Sequence, residues 1–274
     1  MPYSSLQSSP LVPLISPVKI YYRDEGEGLP LLFLHGGWGY GIYPFNRQIG
    51  ALRDEYRMII PDRGGYGRST RILQDLPSNF HHRAAAETLI FLDSLDIERA
   101  FLWGHSDGAV IAAIIGFTAP DRVSGLILEA FHYYKSKPAS REFFETLAYQ
   151  PEALNAELGE RFAREHGADY WQKLITVHAK AWLQIAVEST GPQDDLYVGR
   201  LHDVSAPTLI VHGLLDPRTE PGELNAVRQQ LRRCEMQILE DGSHSPHSER
   251  ATAELVNTIA DGFLKRTQTG DHSA

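Results

Sequence analysis

The residues with the most chemistry in this chain sit in Gly104-His105-Ser106-Asp107-Gly108. A G-x-S-x-G run points to nucleophilic catalysis when a strand precedes it and a helix follows. Here Phe101-Leu102-Trp103 reads as a short strand, and Asp107 to Phe117 as a helix apolar nearly all round and therefore deeply buried. The flanking glycines give room for a sharp turn that holds a strained serine with its hydroxyl exposed above a sheet. A serine at its ordinary pKa is a poor nucleophile, so a histidine must take its proton and a carboxylate must hold that histidine in the right tautomer. Both are present in the expected order of serine, acid, histidine. Asp216 follows a strand in Val211-His212-Gly213-Leu214-Leu215-Asp216-Pro217, and His244 follows the last strand in Gly242-Ser243-His244-Ser245-Pro246-His247. The rival acid is Glu129, near the end of the strand before Asp216's, and the rival histidine is His247, which is expected to begin the final helix.

Attack on a carbonyl develops an oxyanion that needs preorganised N–H donors. One is expected from the amide of Asp107, the other from Gly37 or Trp38 in the loop His35-Gly36-Gly37-Trp38-Gly39, with His35 bracing that loop. The side chain of Asp107 poses a charge problem, because a carboxylate beside the oxyanion repels the developing charge unless something positive offsets it. Two readings stay open: a cationic substrate offsets it, or Asp107 sits on the positive end of its helix and points away. His244 and His247 have H-x-x-H spacing but no third ligand in sequence reach, so no metal is expected. The acyl-enzyme chemistry requires no cofactor.

The elements that must position these residues alternate between short apolar runs and helical patterns, which suggests parallel βαβ units. Strand patterns are read at Pro17 to Glu27, Leu31 to Leu34, Arg57 to Asp62, Phe101 to Trp103, Val123 to Phe131, Pro207 to Val211 and Glu235 to Leu239. A helix over His82 to Ile97 keeps Ala85, Leu89, Leu92 and Leu95 on one face. From Tyr133 to about Asp203 the pattern turns helical without a strand, which places an insertion between two strands. Its aromatic residues, among them Trp171 and Trp182, either form the insertion's own core or line a substrate cleft. The tail from Arg266 to Ala274 is polar and expected to fray.

The length of 274 residues and 42% hydrophobic content exclude disordered and fibrous classes. A net charge of −9 argues against nucleic acid or an anionic membrane surface as partners. The single cysteine, Cys234, excludes an internal disulfide and reads as a buried small hydrophobe. No stretch approaches the roughly eighteen apolar residues that span a bilayer, and no signal peptide is evident, so a cytoplasmic location is the default.

These motifs, together with Pro61-Asp62-Arg63-Gly64-Gly65-Tyr66-Gly67-Arg68-Ser69, make the chain resemble the α/β-hydrolase superfamily over nearly its full length. The resemblance implies a mostly parallel central sheet flanked by helices, with residues 1–132 and 204–274 as the core and 133–203 as a helical cap. Within it, Ser106-Asp107, the Asp62 to Ser69 stretch and a cap carrying Trp171 and Trp182 are most similar to the biphenyl-hydrolase-like, or valacyclovir-hydrolase-like, serine esterases. There the chain departs at His105, where tryptophan is expected, a change that either reshapes the pocket or adds a titrating group beside the nucleophile. The expected activity is hydrolysis of small carboxylic esters, including α-amino acid esters, with Asp107, His105, Trp38, Trp171 and Trp182 contacting a small-molecule substrate. Carbon–carbon bond, lactone and amide hydrolysis use the same triad, and a non-catalytic ligand-binding protein is the reading from another class.

Overall fold

The computed structural model describes residues 3–270. Its eight strands are β1 (Tyr3–Leu6), β2 (Val18–Glu25), β3 (Leu29–Leu34), β4 (Tyr56–Pro61), β5 (Ala100–His105), β6 (Val123–Glu129), β7 (Thr208–Gly213) and β8 (Cys234–Leu239). They form one sheet in the order β1-β2-β4-β3-β5-β6-β7-β8. The neighbours from β4 through β8 pair in parallel, and only β2 runs antiparallel to its partners β1 and β4. The helices are α1 (Asn46–Leu52), α2 (Phe80–Asp93), α3 (Asp107–Thr118), α4 (Arg141–Tyr149), α5 (Ala156–His166), α6 (Trp171–Val187), α7 (Glu223–Gln230) and α8 (Ala253–Thr269).

Successive side chains on a strand point to opposite faces, and the sheet uses both. Leu32, Leu34, Leu102, Leu126, Leu128 and Ile210 pack on one face with apolar residues of α2 and α3. Leu31, Phe33, Trp103, Ile127, Leu209 and Val211 pack on the other with α1 and α8. That is why the parallel strands read as unbroken apolar runs. Every residue of α3 from Asp107 to Phe117 is buried, and each large apolar side chain so buried contributes about 1.5–3 kcal/mol. The helix that begins directly after Ser106 is thus fixed in the middle of the molecule.

Between β6 and β7 the chain leaves the sheet for α4, α5 and α6, with a single isolated bridge, Tyr134 to Asp195, closing the base of this excursion. Among the described residues, no helix is long and apolar enough to cross a membrane.

Several local expectations are corrected. Strand β1 and helix α1 carried no clear signal, being four and seven residues long. His247 does not begin the last helix, which starts six residues later at Ala253, because hydrogen bonds to Glu129 hold it in the preceding loop. The tail does not fray at Arg266: α8 continues to Thr269, and Arg266 pairs with Glu235 at 2.7 Å; residues 271–274 lie outside the described residues. Cys234 is half-buried rather than buried, since it opens β8 at the sheet's edge.

Candidate active site

Ser106 occupies the turn between β5 and α3 with φ 54° and ψ −120°, a backbone conformation costly for any residue with a side chain. The neighbours enforce it. Its amide donates to the carbonyl of Glu129 at 2.8 Å, and its carbonyl accepts from the amides of Ala109 and Val110. A side chain at Gly108 would collide with the carbonyl of Leu34 on β3, so the turn packs this closely only with glycine there. The Asp107 amide is the first N–H of α3 and has no acceptor within the helix.

The three residues separated by up to 138 positions in sequence meet above the carboxyl ends of the strands. Ser106 Oγ lies 3.1 Å from His244 Nε2, and His244 Nδ1 lies 2.9 Å from Asp216 Oδ2. An ionised carboxylate only accepts, so His244 donates from Nδ1 and leaves Nε2 to accept the serine proton. Asp216 also accepts from the Arg218 amide at 2.9 Å. Burial opposes its ionisation, but the hydrogen bond and charge of His244 hold its carboxyl well below the ordinary carboxylate range. His244 itself is pushed below the ordinary imidazole value, first by burial and then by the Arg218 charge, against the pull of Asp216. A neutral imidazole poised to take a proton results.

The rival acid is elsewhere. Glu129 accepts from the Trp103 indole at 3.1 Å and from the amide and Nδ1 of His247 at 2.9 and 2.8 Å, and it does not bond His244. His105 sits between the two layers, with Nε2 2.9 Å from the His244 carbonyl and 3.0 Å from Ser245 Oγ. Burial and the neighbouring His247 lower its pKa to about 3, so it is a neutral support under the His244 loop rather than a second charge. His105, Glu129 and His247 each place a ligand atom within 4.8 Å of the others. Glu129 and His247 are hydrogen-bonded to each other, and the His105 ring packs edge-on against His247 with centres 4.9 Å apart. His35 braces its loop as expected: Nε2 accepts from the Arg63 amide at 3.1 Å, and Nδ1 faces the Gly36 carbonyl at 2.7 Å.

The Asp107 carboxylate is already engaged. Its Oδ1 accepts from His81 Nε2 at 3.0 Å and from the Trp182 indole at 3.1 Å, and its Oδ2 accepts from His178 Nε2 at 2.5 Å. Burial opposes ionisation, yet the charge and hydrogen bonds of His178 and His81 hold the carboxyl well below its ordinary value. His178 and Trp182 come from α6 and His81 from α2, so this carboxylate ties the helical excursion to the sheet. A side chain at Gly37 would strike both Asp107 and His178, which packs the expected oxyanion loop directly against the same cluster.

A profile of the Alpha/beta hydrolase family matches residues 31–258. The chain belongs to that family. Among its relatives is the mouse protein named Serine hydrolase BPHL, 24% identical over 92% of this chain and 84% of the relative. Another is the (E)-2-((N-methylformamido)methylene)succinate hydrolase of Acinetobacter baylyi, 24% identical over 90% of this chain and 94% of the relative. Among solved structures, a thermophilic esterase from Thermogutta terrifontis superposes with a TM-score of 0.72, 21% identity and coverage of 97% and 98% of the two chains. Homologues that share the fold and carry hydrolase names make this α/β-hydrolase an enzyme.

In this hydrolase the cavity over Ser106 is small, about 20 Å³, and its wall includes Trp38, Phe143, Phe144, Trp182, His132 and Arg218. Trp38 and Trp182 thus line the cavity over Ser106. Trp171 does not. It stacks on Phe162 of α5 at 5.6 Å with planes 5° apart, inside the apolar cluster of the excursion. Two wall residues, His132 and Arg218, carried no sequence signal, whereas Phe143 and Phe144 belong to the aromatic set of the insertion. His132 places Nε2 3.4 Å from Ser106 Oγ, but among the described residues no carboxylate hydrogen-bonds it, which favours His244 as the base. Phe144 stacks on Trp182 at 5.4 Å. Arg218 follows an Asp-Pro pair that reads as a plain turn.

Proposed function

We propose that this hydrolase cleaves carboxylic esters of small molecules through an acyl-enzyme on Ser106. The observation that carries the proposal is the continuous hydrogen-bonded line from Ser106 Oγ through His244 to Asp216 Oδ2, ending on a serine held at φ 54°. His244 Nε2 takes the hydroxyl proton as Oγ attacks the carbonyl, and returns it to the departing alkoxide. Asp216 holds the tautomer and stabilises the imidazolium. Water activated by the same nitrogen then opens the acyl-enzyme. The Asp107 amide and an amide of Gly37 or Trp38 receive the oxyanion, a contribution of about 2.7–4 kcal/mol for one such donor in other enzymes. Residues 133–203 act as a cap, with Trp182 and Trp38 as walls and His105 as a support of the His244 loop.

The α-amino ester version of this activity loses its basis, because three internal donors occupy the carboxylate that would bind the ammonium group. Reaction of the protein with a fluorophosphonate and turnover of a series of p-nitrophenyl esters test the proposal. Labelling and turnover that both vanish in Ser106→Ala support it; turnover that survives in that variant overturns it. Amide or carbon–carbon bond hydrolysis is the second reading, drawn from the Acinetobacter relative whose name states an N-methylformamido substrate and which this chain matches over 94% of its length. It predicts labelling of Ser106 without ester turnover.

A further inference from the structure

The charges around the cavity are not balanced in the same way. Asp107 is met by three donors from its own protein. The buried cation Lys137 is likewise met, its Nζ donating to both carboxylate oxygens of Glu223 at 2.8 and 2.6 Å. Arg141, on the outer side of Phe144, is paired with Glu145 at 2.8 Å. Arg218 differs. Its guanidinium lies 4.3 Å from the Phe143 ring centre and 5.2 Å from that of Trp38, in the wall of the cavity that contains Ser106 and His244. Among the described residues no carboxylate or carbonyl accepts from it; Tyr43, Asp216 and Asp107 act on it through space only. Two aromatic faces steady the plane of the group, and its N–H fork is left without an acceptor.

A guanidinium is always charged and carries five donors in a fixed plane. Arg218 is only partly buried and has no acceptor among the described residues, so its fork is free for a ligand, and the planar partner that matches it is a carboxylate bound through two parallel hydrogen bonds. The rest of the wall offers no competing free anion: Asp107 is its one carboxylate and is already engaged, and apart from Ser106 the other side chains there are aromatic or imidazole.

We propose that Arg218 is a specificity-determining residue that binds a free carboxylate on the substrate, so that the preferred ester is a half-ester of a dicarboxylic acid or an ester of similar charge. This rests on the ester hydrolase reading above. The carboxylate docks against the fork between Trp38 and Phe143, which sets the scissile carbonyl toward Ser106, and takes no part in bond making or breaking.

The test separates binding from chemistry. Monoethyl esters of succinic, glutaric and adipic acid are compared with the corresponding ester amides, which keep the shape and lose the charge. Binding is measured by calorimetry in full-length Ser106→Ala, which cannot turn the esters over, and in Ser106→Ala carrying Arg218→Gln or Arg218→Lys. The expected result is that at least one acid binds about tenfold or more tightly than its amide, that the ratio falls to near one with Arg218→Gln, and that Arg218→Lys keeps part of it. The same ratio is expected in kcat/KM of the enzyme with Ser106 intact. Acid and amide bound equally across the series, or a preference for the acid that survives Arg218→Gln, overturns the proposal. Selective binding without turnover leaves Arg218 in place and overturns ester hydrolysis instead.

Discussion

Two buried aspartates lie close to Ser106, each bonded to histidine, and they differ in where the histidine leads. Asp216 accepts from His244 Nδ1, and the far nitrogen of that ring faces the serine hydroxyl. Asp107, next to Ser106 in sequence, accepts from His81, His178 and Trp182, and none of these reaches Ser106 Oγ. The first constellation is open at one end and can pass a proton. The second is closed, with its donors drawn from α2 and α6, and holds two parts of the molecule together. Proximity to the nucleophile therefore says less about catalytic role than does the direction of the last free lone pair.

Substitutions can break or sharpen this contrast. The largest effect is expected for Ser106→Ala, which should lower kcat by about 10⁴-fold or more while leaving the unfolding transition in place, as judged by ester turnover beside urea denaturation. Asp216→Asn comes next: with the wrong tautomer favoured at His244, kcat should drop by about 10³–10⁴-fold in a protein that still folds. Asp107→Ala should show the opposite balance, a loss of about 3 kcal/mol in unfolding free energy, as for a buried pair deprived of one partner, and a smaller loss in kcat than Asp216→Asn. If Asp107→Ala matched Asp216→Asn in kcat at unchanged stability, the two clusters would not be distinct in kind.

The pH profile sharpens the comparison further. Burial, Arg218 and His212 lower the pKa of His244, and Asp216 raises it. The base must be neutral, so kcat/KM should fall only as pH drops below the ordinary imidazole value of about 6.5. Arg218→Gln removes a positive neighbour, makes the imidazolium easier to form and should move that acid limb to higher pH; a stopped-flow pH series reads the shift. The smallest effect on catalysis is expected for Trp171→Phe, which keeps a ring against Phe162 and should leave kcat/KM as it was while lowering the melting temperature.

The sheet, the elbow and the three residues of the proposed triad were legible in sequence because each depends on local order: an apolar run that ends in a loop presents that loop's residues at the carboxyl edge. Trp171 and Trp182 show where such reasoning stops. They are eleven residues apart, about three turns, and so share a face of α6, but at a rise of 1.5 Å per residue they stand about 16 Å apart along it. Periodicity gives the face and not which end of the helix overhangs Ser106. The engagement of Asp107 was equally hidden, since His81 and His178 are 26 and 71 residues from it and only the docking of α2 and α6 brings them together. Arg218 lacked a signal for a related reason: an arginine after Asp-Pro looks like an ordinary surface residue until the fold sets it against Trp38 and Phe143.

The stacked pair Phe144 and Trp182 is a wall of two cavities at once: the one of about 20 Å³ over Ser106 and a neighbouring one of about 390 Å³ on the outer side of the excursion. The inner space holds about one water molecule. An ester that reaches Ser106 has to displace lining side chains, and this shared wall is one place where the inner space can widen toward the outer one. Such a step answers to the friction of the surrounding solvent, and thickening the medium with sucrose slows it without touching the proton transfer at His244.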